Sequence, residues 1–118
     1  MAGAARAEER RVTADSARLA ALTHDDFARC LGERFRLTQH GDTAGSLELE
    51  LLRVDASALR DRVPRARSPF STVFLGPAEP VLAQRIYPLE SATLGRLDLF
   101  LVPIGRDERG IRYEAVFA

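Results

Sequence analysis

The chain has 118 residues, 46% hydrophobic and 29% charged, with 17 basic side chains balanced by 17 acidic ones. This is the composition of one ordinary soluble globular domain, and a formal charge of zero argues against a general affinity for nucleic acid. Every basic residue is arginine, which excludes a Schiff-base lysine and a lysine-dependent phosphate loop, while a single cysteine, Cys30, excludes an internal disulfide and a thiolate zinc site.

Residues 1–12, "MAGAARAEERRV", are small and charged without an apolar period, and read as a disordered lead-in. They lack the apolar run of a signal peptide, and no stretch of the chain approaches the roughly 20 apolar residues that span a bilayer. The expected location is therefore the cytoplasm, with no membrane partner. Residues 13–118 are expected to form a single small β-rich domain.

"TADSARLAAL" (13–22) suggests a short helix, with Thr13 or Asp15 as cap and Leu19 and Leu22 as apolar contacts. The following "LTHDDFARCLG" is better specified. Thr23 can cap a helix over 24–31, Asp25 and Asp26 suit its positive end, and Leu22 and Phe27 have the spacing of a hydrophobic staple. Phe27, Cys30 and Leu31 would share its buried face, and Gly32 would end it in a left-handed conformation.

From Glu33 the apolar period changes to two. "RFRLTQ" (34–39) and "SLELELLRV" (46–54) alternate as half-buried strands around the turn "HGDTAG". "FSTVFL" (70–75) is a third strand ending at Gly76-Pro77. "QRIYPL" (84–89) is a fourth, in which Pro88 signals an edge or a bulge. "RLDLFLVPI" (96–104) carries Leu97, Leu99 and Leu101 on one face and Phe100 and Val102 on the other, so it is expected to be covered on both sides. "GIRYEAVF" (110–117) places Ile111, Tyr113, Ala115 and Phe117 on one face. The predicted fold is mainly β: about six antiparallel strands in a small barrel or compact sandwich, capped by the helix.

Candidate chemistry is sparse. Asp25-Asp26 sits at a helix start, Glu48 and Glu50 on a wet strand face, and Asp107-Glu108 in a hairpin tip. Neither His24 nor His40 has a second ligand at metal-binding spacing, and no serine lies in a nucleophile-elbow motif. No catalytic residue, metal or cofactor is predicted. Arg60, Arg62, Arg65 and Arg67 cluster within "LRDRVPRARSP", a loop suited to phosphates or an acidic protein surface, though without the aromatic residues that stack on bases. The expected function is a non-enzymatic structural or protein-interaction module that packs against a protein partner or against copies of itself. The alternative is a small-ligand-binding β-barrel, which would need a cavity where Phe35, Phe70 or Phe74, Leu99, Tyr113 and Phe117 are available to fill the interior.

The stretches "LTHDDFARCLGERFRL", "PFSTVFLGP" and "LGRLDLFLVPIGRDERGIRYEAVF" resemble the family of small bacterial proteins known as domain of unknown function DUF6916, over roughly residues 22–117. The resemblance implies that Phe27 and Leu31 anchor the helix, that Gly32 caps it and that Gly76-Pro77 turns the chain. It also implies that Phe100, Pro103, Tyr113 and Phe117 line or brace the core. Arg85 stands where members carry a glycine in "P-Q-G-x-Y-x-L", which removes any role there that needs a bare backbone. The resemblance further implies an accessory component of a phage-tail-like or other multiprotein assembly.

Overall fold

The period-two alternation is expressed as antiparallel strands in a computed structural model that describes residues 19–38, 46–56 and 69–117. The elements are α1 (His24–Ala28), β1 (Arg34–Leu37), β2 (Leu47–Ala56), β3 (Phe70–Gly76), β4 (Arg85–Ser91), β5 (Gly95–Asp107) and β6 (Gly110–Phe117). The strands join in the order β1-β2-β3-β6-β5-β4 and back to β1, every pair antiparallel. The sheet is therefore one ring and not a sandwich of two. The expected lead-in over 1–12, the helix start over 13–18 and the "HGDTAG" turn lie outside the described residues.

The ring is not a strict barrel, because two of its seams are incomplete. β1 and β4 share only the pairs Arg36–Glu90 and Leu37–Leu89. β5 and β6 pair from the hairpin turn as far as Val102–Glu114 and no further, although both strands continue. The other ladders run long: β3–β6 from Phe70–Phe117 to Gly76–Ile111, and β4–β5 from Arg85–Leu101 to Ser91–Gly95. Both strand prolines respect these limits. Pro88 lies just past the end of the β1 ladder, and Pro103 precedes a bulge at Ile104.

Inward-facing side chains fill the ring. Phe35, Leu37, Leu49, Leu51, Phe70, Phe74, Leu89, Leu97, Leu101 and Tyr113 are all buried, from strands all the way round. α1 closes one end. Thr23 and Asp26 form a reciprocal capping box at its start, and Leu22 packs on the core beside Phe27. The Phe27 ring lies 5.7 Å from that of Phe70 and 5.0 Å from that of Phe117, which are themselves stacked at 4.6 Å. At the other end Leu82 enters the core, and its N–H donates to the Tyr113 hydroxyl at 2.9 Å. The Tyr87 hydroxyl donates to the Ala83 carbonyl at 2.6 Å.

Glycine is required where chains cross closely. Gly76 faces inward, and a methyl group there would lie 2.7 Å from Leu49 Cδ2 and 3.1 Å from the Tyr113 ring. Gly110 has φ +142°, and a methyl group on it would collide with the Gly76 carbonyl oxygen. Gly32 has φ +84°, but it closes the turn after the helix and does not cap the helix itself, whose C-cap is Arg29.

Two further expectations need correction. The helix is shorter than 24–31: after Ala28 the chain turns through Arg29–Gly32, and Leu31 is 53% exposed instead of anchoring the buried face. The backbone is captured by β2 at this point, the Gly32 N–H donating to the Leu51 carbonyl at 2.9 Å and the Leu51 N–H to the Glu33 carbonyl at 3.0 Å, so the chain leaves the helical path at Leu31. Phe100 is 49% exposed on the outside of β5, and does not line the core. The apolar run "LFLV" (99–102) cannot by itself distinguish a strand covered on both faces from one with an apolar outer face.

Phe27 carries the end closure, so Phe27→Ala should destabilise the protein by about 3 kcal/mol in urea denaturation, the usual cost of emptying a large aromatic site. A midpoint unchanged within error would show that α1 is peripheral to the fold.

Candidate interaction surface

With the interior full, the distinctive chemistry lies outside, and the exterior divides into two halves. Around β2, β1 and the Glu90 end of β4 the outward surface carries facing charges. Arg36 sits between Glu48 and Glu90 in register and meets Glu90 at 2.9 Å, while Arg34 reaches Glu48 at 3.5 Å. A shallow concavity of about 680 Å³ runs along this face to Pro77 and Arg109. Arg34 and Arg36 already face glutamates, so along the strands the surface is a screened charge ladder and not a concentrated anion site.

The half formed by β4, β5 and β6 differs. Ile86, Phe100 and Val116 are 63%, 49% and 70% exposed. Ile86 and Phe100 are direct cross-strand partners, and Phe100 and Val116 flank a groove of about 170 Å³ that Leu19 also lines. The half-buried Val102 continues the same outer row on β5. Each of these residues occupies the outward parity of its strand, where neighbours such as Asp98 and Glu114 are polar. That parity is the signal from which Ile86 and Val116 could have been singled out, and the sequence reading passed over both.

The titratable groups mostly hold the fold together. Glu33, at the entry to β1, accepts hydrogen bonds from the Ser91 hydroxyl and, at 2.6 Å, from the Thr93 hydroxyl in the β4–β5 turn. Ser91 Oγ in turn accepts the amides of Thr93 (3.1 Å) and Leu94 (2.9 Å), so this hydroxyl is fully committed to the turn and is not a free nucleophile. The network, with Arg36–Glu90, supplements the short β1–β4 ladder. Cys30 is buried beside it with its thiol toward the Asp26 carbonyl, and burial, followed by the nearby Glu33 charge, raises its pKa. Such a thiol is a packing group.

Other candidates resolve into local structure. His24 begins α1 and meets Phe70 edge-on at 6.3 Å. Asp26 completes the capping box; Asp25 is exposed beside His24. Asp107 accepts the Arg109 amide at 2.9 Å and pairs with Arg112, and these hydrogen bonds hold its carboxyl below the usual range. Glu108 is exposed at the hairpin tip. Arg85 lies over the Tyr87 ring at 5.6 Å. The loop with Arg60, Arg62, Arg65 and Arg67, and also His40, lie outside the described residues. Among the described residues, no group of three or more His, Cys, Asp and Glu side chains is placed to hold a metal ion, and no helix is long and apolar enough to cross a membrane.

Glu33 makes the β1–β4 closure sensitive to pH. Burial pushes its carboxyl up, but the hydrogen bonds from Ser91, Thr93 and the Thr93 and Ala92 amides together outweigh that, and its pKa is lowered. A lowered folded-state pKa gives stability that is complete above the ordinary carboxylate value and is lost as pH falls through the folded value. Glu33→Gln should cost about 1–2 kcal/mol near neutral pH, the worth of charge-assisted hydrogen bonds at a part-exposed site. The gap between parent and variant should narrow as pH drops below the carboxylate range. Denaturation midpoints at several pH values check this; a gap independent of pH would separate Glu33 from the closure.

The family model for the domain of unknown function DUF6916 matches residues 22–117, from the residue before the α1 cap to the end of β6. No curated protein and no solved structure matches the chain. The match takes in α1, all six strands and the full ring closure, and the chain belongs to the DUF6916 family.

Proposed function

We propose that this domain is a non-enzymatic protein-interaction module, a small structural or accessory part of a multiprotein assembly of the phage-tail kind, that docks through the outer face of β4, β5 and β6. The observation that carries this reading is the set of three large apolar side chains, Ile86, Phe100 and Val116, exposed together on one half of a ring whose other half is a charge ladder. Contiguous exposed apolar surface on a domain with a well-filled core is the usual mark of a protein contact. Two further features support it. The hydroxyl and carboxylate groups nearest to a catalytic arrangement, Ser91, Thr93 and Glu33, are spent on holding a turn. The bulky side chains that fill the ring favour an external contact over a ligand held inside, as the ligand-binding alternative would require.

A photo-crosslinking phenylalanine analogue at position 100, introduced in the cells that produce the protein, tests the reading against the same analogue at position 48 on the charged half. The expected result is one discrete protein adduct from position 100, lost when Ile86 and Val116 are changed to serine, and none from position 48. Those two serines should change stability by no more than about 0.5 kcal/mol, as exposed substitutions do. Equal adducts from both positions, or none from position 100, would overturn the assignment of this face.

A further inference from the structure

We propose that the segment received by this face is an extended strand of the partner, which pairs through its backbone with the edge of β5 beside the open β5–β6 seam. The inference rests on the interaction reading above and adds the chemistry of the occupant. On its β4 side, β5 is paired continuously from Gly95 to Leu101. On its β6 side the ladder stops at Val102–Glu114, while β6 itself continues, paired to β3, as far as Phe117. Successive residues of a strand direct their N–H and C=O groups to opposite edges. Between Leu97 and Phe100, the groups that point away from β4 thus have no strand partner among the described residues.

The unpaired edge lies in an apolar setting. The groove beside it is lined by Leu99, Phe100, Ala115, Val116 and Phe117, with Leu19 at its margin and Asp98 as its charged member. A row of backbone donors and acceptors beside apolar side chains is complementary to another backbone that carries apolar residues at alternate positions, which is the chemistry of strand addition. A compact apolar ligand could cover Phe100 and Val116 but would leave those polar groups unmatched. A helix has no free backbone edge to offer them. Extending the register from Val102–Glu114 would set Phe100 opposite Val116, and these two exposed residues mark the rims between which the added strand enters.

The test uses the full chain, labelled with ¹⁵N, and two lysine-flanked synthetic peptides of alternating valine and threonine, one unmodified and one N-methylated at every second residue. Methylation leaves the side chains in place and removes the donors of one peptide edge. The unmodified peptide should move the amide signals of Leu97–Phe100 and Val116 and slow their exchange with solvent, and methylation should weaken this binding by about tenfold or more. Absence of shifts at these amides, or equal binding by both peptides, would overturn strand addition. Equal binding that moves only the side-chain signals of Ile86, Phe100 and Val116 would do so while leaving the apolar face as a contact surface. Loss of the position-100 crosslink would instead remove the face itself.

Discussion

Closing six strands into one ring leaves an interior only wide enough for the side chains that point into it; even about eight strands enclose little more. Most other features of the molecule follow from that limit. Phe35, Phe74, Tyr113 and the inward leucines occupy the space completely enough that Gly76 must be bare to admit Leu49 and the Tyr113 ring. Phe27 and Leu82 stop the two ends, each held by a local device: the capping box for Phe27 and the tyrosine hydroxyl for Leu82. With large apolar side chains lining the interior, the proposed contact is placed on the outer surface.

The ring also has to close, and its two incomplete seams are treated differently. At β1–β4, where only two backbone pairs form, side chains extend the closure: Glu33 bridges to the β4–β5 turn and Arg36 meets Glu90. At β5–β6 the side-chain bridge, Asp107 with Arg112, lies at the hairpin end, and the far ends of the two strands are bordered by Phe100 and Val116. Reinforcement on the charged half and openness on the apolar half place polar backbone and apolar side chains together in one region. Together these features motivate the proposal that the seam receives a strand.

How much of this was legible from the sequence depended on how far its signal was local. Alternation in "SLELELLRV" and "GIRYEAVF" identified strands and their buried faces, and Thr23, Asp26 and Phe27 marked a helix start, whereas Gly32 lies past the helix end at Ala28. Tertiary constraints were not visible in the same way. Leu31 has helical spacing from Phe27 but falls in the turn that leads to β1, and Phe100 has the hydrophobicity of a core residue on the outward parity of its strand. The Glu33–Ser91–Thr93 bridge joins residues about 60 positions apart, and nothing in either segment announces the other. The open seam is a place where the strand pairing stops, and residue pattern carries no trace of it. The arginine cluster stood out in the sequence only because its residues are close together in the chain.

The account depends most directly on the asymmetry of β5, paired on one edge and open on the other between Leu97 and Phe100. Residue-by-residue amide hydrogen exchange in the free, full-length chain measures it. Alternate amides in this stretch should be protected by β4 and exchange rapidly on the other edge, against uniform protection through β3, which is paired on both edges from Phe70 to Leu75. Strong protection of every amide from Leu97 to Phe100 would mean a continuous β5–β6 ladder, a strict barrel with no edge to receive a strand, and would contradict the account.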